Sequence, residues 1–132
     1  MSSHRIAVRI YYEDTDFSGN VYHAAYLKFL ERGRTELLRD LGVHHAELAE
    51  QGIAFAVRSM DIEFLAAARI DDLLTVVTTV VEAGGVRLVL DQTILRDDKT
   101  ITSARVTVVA IKMSGGPARL PADLRARLAP EA

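Results

Sequence analysis

The stretch from Tyr12 to Tyr26 holds the side chains best suited to chemistry, two aspartates at Asp14 and Asp16 followed by Phe17, Ser18, Gly19 and Asn20. Three chemistries fit carboxylates at this spacing. In a calcium loop, Asp14, Asp16, Ser18 and Gly19 would fill positions 1, 3, 5 and 6, and Val21 suits position 8. The twelfth position is then Ala25, where a bidentate glutamate is required, and the preceding segment reads as a strand. Phosphotransfer from a strand followed by Asp-x-Asp needs a large parallel sheet, whereas the later segments are joined by tight hairpins that only antiparallel strands can use. The third chemistry sets a carboxylate beside the start of a buried helix. The first N–H groups of such a helix lack internal partners and polarise a carbonyl, and the carboxylate acts as base or nucleophile. Acyl transfer suits that arrangement.

The elements that must position this loop can be read from periodicity. Ile6 to Tyr12 alternates with period two, as a strand does. From Val21 to Leu41 the apolar residues Tyr22, Ala25, Tyr26, Phe29, Leu30, Leu37, Leu38 and Leu41 recur at helical spacing. Gly33 lies on the same stripe, and Gly42 is placed to end the helix in the left-handed conformation. A short helix is expected over 44–50, then strands around Phe55 to Phe64, Leu73 to Val81, Val86 to Leu95 and Ile101 to Met113. Gly84-Gly85 and Asp97-Asp98-Lys99 mark hairpin turns. Ser114-Gly115-Gly116-Pro117 closes the sheet, and Pro121 opens a last amphipathic helix through Leu128. One dominant helix with hairpin-linked strands is an α+β plan, an antiparallel sheet curved around the helix. Val76, Thr78 and Val80 alternate with Val77, Thr79 and Val81, so both faces of one strand are apolar and a second copy of the chain is the natural cover.

Composition narrows the function. The 132 residues are one domain's worth, expected to span 1–132 without a linker or repeat. Sixteen basic against 18 acidic residues leave a charge of −2, unlike a nucleic-acid-binding surface. With no cysteine there is no thiolate metal site, disulfide or Cys nucleophile. His44 and His45 are adjacent and point apart on a helix, a poor metal pair. Met1 to Arg5 lacks the apolar run of a signal peptide, and no segment is long enough to span a bilayer, so a cytoplasmic protein is expected.

The run Tyr12-Glu13-Asp14-Thr15-Asp16-Phe17-Ser18-Gly19-Asn20-Val21-Tyr22-His23-Ala24-Ala25-Tyr26 resembles the signature of the 4-hydroxybenzoyl-CoA thioesterase family of hotdog-fold proteins, in its YbgC-type branch associated with the Tol–Pal envelope system. The resemblance continues through Glu31-Arg32-Gly33-Arg34-Thr35-Glu36, through Phe64-Leu65-Ala66-Ala67-Ala68-Arg69-Ile70-Asp71-Asp72, and more weakly through Pro117 to Pro121. It implies a long helix wrapped by an antiparallel sheet, assembly into homodimers or homotetramers, and hydrolysis of acyl-CoA without metal or cofactor. Asp16 matches the family's catalytic carboxylate, and His23 the position whose backbone N–H polarises the thioester carbonyl. Attack by Asp16 itself and by water that it activates are both open. Asp14 reads as a turn acceptor, and the His23 imidazole as a packing group. Tyr22 and Tyr26 belong to the helical core, with an edge toward an acyl tunnel, and Arg69, Arg87 and Arg119 are the candidates for the CoA phosphates. Phe17, Ser18 and Asn20 replace small or apolar residues of some relatives, and Ser114-Gly115-Gly116 lacks a lysine often found there. The competing class is a non-catalytic hotdog module that binds acyl groups or acyl carrier protein, which has no need of a carboxylate at the helix start. A dehydratase would want a histidine with its acid in a different loop.

Overall fold

The computed structural model describes residues 3–130; Met1, Ser2, Glu131 and Ala132, part of the single domain expected over 1–132, lie outside the described residues. The chain runs β1 (His4–Arg9), α1 (His23–Asp40), α2 (His45–Glu50), β2 (Ile53–Phe64), β3 (Leu73–Ala83), β4 (Arg87–Arg96), β5 (Lys99–Lys112) and α3 (Ala122–Leu128). All five strands form one antiparallel sheet in the order β1-β3-β4-β5-β2. The fold is the α+β hotdog arrangement, with α1 against one face of the sheet.

The helix packs so closely because its stripe carries a glycine where the sheet comes nearest. Ala25, Tyr26, Phe29, Leu30 and Gly33 turn inward onto Leu74, Val76, Leu90, Ile94, Ile101 and Val106, all buried. A Cβ on Gly33 would stand 2.8 Å from Val76 Cγ1 and 2.9 Å from Thr78 Oγ1. Beside it the buried Gln92 amide donates to the Leu30 carbonyl and to Thr78 Oγ1, both at 2.9 Å, while its Oε1 accepts from the Arg34 guanidinium at 3.0 Å. Each polar atom of that amide is thereby satisfied inside the core, which its burial demands. The other face of β3 is half-exposed at Val77, Thr79 and Val81, as the two-faced pattern anticipates.

Of the boundaries that differ from the periodicity, three have a clear backbone reason. The first strand ends at Arg9, not Tyr12, because Ile10 bonds through both backbone groups to Asp71 and Asp72 and the chain then turns through a 3-10 segment at Tyr12–Asp14. The long helix begins at His23, not Val21, because Val21 is held in extended backbone by its bridge to Thr15 and its N–H bond to the Ala68 carbonyl at 2.9 Å, and Tyr22 continues extended. At the β3–β4 hairpin the Gly84 N–H meets the Arg87 carbonyl at 2.8 Å, so the chain reverses over Gly85 and Val86, one residue later than Gly84-Gly85 suggests. The β4–β5 hairpin does use Asp97 and Asp98, both in the left-handed region at φ 50° and 66°, the pair of conformations a tight two-residue turn requires. Gly42 closes α1 at φ 81°, as expected.

Candidate active site

The Asp16 loop is sewn to a second loop, residues 65–72, that follows β2. Within the first loop the Asp16 N–H donates to the Asn20 carbonyl at 2.8 Å and the Gly19 N–H returns to the Asp16 carbonyl at 3.1 Å. Between the loops, the Val21 N–H bonds Ala68 and the Ile70 N–H reaches the Gly19 carbonyl at 3.2 Å, with Asn20 bridging to Arg69. The second loop is itself anchored. The Ala68 N–H donates to the Tyr26 hydroxyl at 3.0 Å, and the Arg96 guanidinium donates to the Ala67 carbonyl at 2.7 Å and to Asp72 Oδ2 at 3.2 Å.

Asp14 is buried and Asp16 is exposed, and their partners separate their roles. Asp14 Oδ2 accepts the Tyr11 N–H at 2.9 Å, and its carbonyl accepts the Tyr22 N–H at 3.3 Å, so Asp14 fixes the turn. Asp16 faces solvent. The Ser18 hydroxyl, then the Ser18 backbone N–H, hold its carboxyl below the ordinary carboxylate range, and the nearby His23 imidazole adds a smaller pull in the same direction. Asp16 is therefore ionised at neutral pH, and any reaction that needs the carboxylate persists as pH falls until the carboxyl itself titrates.

The loop runs directly into α1. Tyr22 occupies the N-cap in an extended conformation, and no side chain of the described residues caps the helix. The Ala25 N–H is taken by the Tyr22 carbonyl at 3.0 Å, which leaves the His23 and Ala24 amides as the helix's open donors. Such a terminus favours an anion or a developing oxyanion. The His23 ring packs on Phe64 at a centroid distance of 4.6 Å, and Phe64 meets the Tyr26 ring at 5.6 Å. Phe64 is itself partly exposed, as are Leu65, which follows it, and Phe17, which follows Asp16.

The remaining expected site residues divide. Arg69 stays at the site, exposed on the loop paired to Asn20. Tyr22 is half-buried at the helix start. Tyr26 departs from the expectation of a tunnel-lining edge. It is 2 % exposed, burial pushes its phenol above the ordinary range, and its hydroxyl is committed to Ala68, so it anchors the loop. Arg87 and Arg119 lie elsewhere in the protomer. Arg87 opens β4 in an ion pair with Glu82 at 2.8 Å, and the Arg119 guanidinium stacks under Gly85 on the same turn. That turn is the far end of β3 from the 65–72 loop, roughly 30 Å away at the rise of an extended strand. Phe64 and Arg96 are the contributors that spacing alone does not single out. Phe64 has a signal in the second resembling segment; Arg96 has none, since its role is a guanidinium bond to a backbone carbonyl 29 positions away.

No group of three or more His, Cys, Asp or Glu residues among the described residues is arranged to hold a metal ion. No helix among them is long and apolar enough to cross a membrane. Comparison with known proteins agrees with the geometry. Residues 10–128 match the family model of the thioesterase-like superfamily. The chain is 41% identical over 121 residues to the acyl-CoA thioesterase YbgC of Haemophilus influenzae, covering 90% of this chain and 89% of that protein. It is 44% identical over 108 residues to the acyl-CoA thioester hydrolase YbgC of Escherichia coli, covering 81% of each. The crystal structure of a probable thioesterase from Bartonella henselae superposes with a TM-score of 0.87 at 43% identity, over 91% of this chain and all of that one. With its ionised carboxylate, open helix terminus and helix-in-sheet frame, this chain belongs to the thioesterase-like superfamily.

Proposed function

We propose that the protein hydrolyses acyl-CoA thioesters to the free acid and CoA, with Asp16 as nucleophile or general base and the His23 amide as oxyanion donor. The observation that carries this reading is an exposed, ionised carboxylate on a loop that leads straight into an uncapped helix terminus. The thioester carbonyl oxygen takes the His23 N–H, which gains strength as negative charge develops on that oxygen. The Asp16 carboxylate then adds to the carbonyl carbon and the CoA thiolate leaves, and water opens the resulting anhydride. Alternatively, Asp16 takes a proton from water as the water adds and the same thiolate leaves. Release of free thiol from a panel of acyl-CoA chain lengths tests the activity. A protein that binds acyl-CoA or acyl carrier protein tightly without releasing thiol would instead be the non-catalytic module. CoA thioesters belong to the cytoplasm, and the reading places the protein there.

Because the oxyanion donor is a backbone group, the side chain at position 23 matters little to the chemistry. His23→Ala is expected to retain kcat within about tenfold, the modest loss coming from the Phe64 packing it gives up. Steady-state kinetics check this, and a collapse equal to that of an Asp16 variant in a folded protein would give the imidazole a chemical role. Hydrolysis is also expected to survive exhaustive chelation. Activity lost to a chelator and restored by one divalent ion would contradict the metal-free mechanism.

The working unit in this reading is at least a homodimer. β2 is a 12-residue edge strand whose outer side pairs with no other strand among the described residues, and such an edge is open to another chain. Antiparallel self-pairing about its middle would set Phe64, with His23 against it, beside the partner copy's Ile53–Val57 end. There a gap of about 120 Å³ opens between α1 and the sheet, walled by Leu38, Phe55, Val57, Leu90 and Val108, with Glu31 and Arg34 at its margin. That gap suits an acyl chain delivered from the neighbouring site. Sedimentation and specific activity should fall together on dilution; a stable monomer with full activity would refute the shared site.

A further inference from the structure

The loop grips the Asp16 carboxylate by one oxygen. The Ser18 N–H donates to Oδ1 at 2.8 Å, and the Ser18 hydroxyl donates to the same oxygen. Among the described residues both hydrogen bonds to the carboxylate end on Oδ1, while the Asn20 backbone N–H bears on the carboxyl more weakly than either Ser18 donor. We propose that Ser18 is a positioning residue for thioester hydrolysis, holding the Asp16 carboxyl by Oδ1 so that Oδ2 is the oxygen presented to the thioester or to the attacking water. This rests on the reading of Asp16 as the reacting carboxylate.

An exposed aspartate has staggered alternatives at χ1 and a broad χ2, and water stabilises all of them alike. Asp16 has no packing to choose among them, since it faces solvent. Its backbone is fixed by Asn20 and Gly19, so the side chain is the remaining freedom. A turn in which an aspartate accepts the N–H two residues on is complete with the backbone donor alone. The hydroxyl adds a second bond that the turn does not need, and it aims at the same oxygen.

The two Ser18 donors also stabilise the charged form and lower the carboxyl's affinity for protons, the hydroxyl more than the amide. The titratable and charged groups around it are His23 on α1 and Arg69, Asp71 and Asp72 on the paired loop; of these only the imidazole bears on the carboxylate. A less basic carboxylate is a weaker base, and this works against the hydroxyl. Restricting it to one of about three χ1 wells, and narrowing χ2, gains more, about three- to tenfold in the reactive population. Orientation outweighs lost basicity.

The test compares purified wild type, Ser18→Ala, Ser18→Thr and Asp16→Asn in kcat and KM across pH. In parallel, carbon NMR follows the Asp16 carboxyl, assigned by its disappearance in Asp16→Asn. Ser18→Ala is expected to lower kcat about three- to tenfold with KM unchanged and to move the carboxyl titration to higher pH, and Ser18→Thr to restore both. A purely structural serine would alter thermal stability and leave the titration where it was. If Asp16→Asn is inactive while Ser18→Ala keeps wild-type kcat, or leaves the titration unmoved, the positioning role is overturned and the reading of Asp16 stands. If Asp16→Asn hydrolyses like wild type, the reading of Asp16 fails and the role of Ser18 falls with it.

Discussion

Replacing Asp16 by asparagine is expected to leave the fold intact and to lower kcat for acyl-CoA hydrolysis by at least ~10²-fold, the scale of a positioned acid–base group. The amide keeps a carbonyl oxygen where Oδ1 accepts the two Ser18 donors, so the turn survives. The side chain is exposed and touches no core residue, which keeps the change in stability within about 0.5 kcal/mol. What the substitution removes is charge. An asparagine neither attacks a carbonyl nor takes a proton from water at neutral pH, so both mechanisms fail together. Circular dichroism and a melting curve would establish that the variant is folded, and thiol release would read the loss. Near-normal turnover would remove Asp16 from the mechanism and favour the non-catalytic module. In wild type, the depressed Asp16 titration carries a sign. The carboxylate form is complete above the ordinary carboxylate range, and activity that depends on it is lost only as pH falls through the lowered value.

Gly33→Leu is expected to abolish stable folding, and Gly33→Ala to lower the melting temperature. In an ordinary helix interior, alanine gains about 0.5–1 kcal/mol over glycine. Here a Cβ would press on Val76 at 2.8 Å, on Thr78 at 2.9 Å and on Gln92 Nε2 at 3.1 Å. None of the three is the loose end of a surface chain: Val76 and Thr78 belong to the inner strand β3, and Gln92 is tied to both helix and sheet. Overpacking of this kind costs about 1–3 kcal/mol, more than the propensity gain. Each net kcal/mol lowers Tm by about 4 °C for a domain of this size. The leucine adds three further carbons where the first does not fit. Melting curves at one fixed protein concentration check both variants. An alanine variant as stable as wild type would mean that helix and sheet part more readily than their shared amide network implies.

How much of this was visible in the sequence depends on the range of the interaction. Phe29, Leu30, Gly33 and Leu38 announce α1 because helical spacing is local, and Val76, Thr78 and Val80 announce β3 in the same way. Asp16 was visible because its loop and helix are contiguous, so one stretch of chain carries both the carboxylate and the amide donor. The boundaries at Arg9 and His23 were not, since each depends on a bond to the distant 65–72 loop, from Ile10 to Asp72 and from Val21 to Ala68. Tyr26 was legible as a core residue but not as the acceptor for Ala68, because periodicity reports the face of a helix and not the partner of a hydroxyl. Arg87 and Arg119 had the right charge for phosphates, but charge alone carries no address, and in the protomer they sit together on the β3–β4 turn.

The most direct test is a crystal structure of Asp16→Asn with an acyl-CoA that it binds and does not cleave. The account predicts the thioester carbonyl oxygen about 2.7–3.1 Å from the His23 backbone nitrogen. It also places the carbonyl carbon facing the side chain at position 16, with the acyl chain entering the partner copy's gap beside Phe55. A thioester bound with its carbonyl away from the start of α1, or seated wholly on the outer face of the sheet, would contradict it.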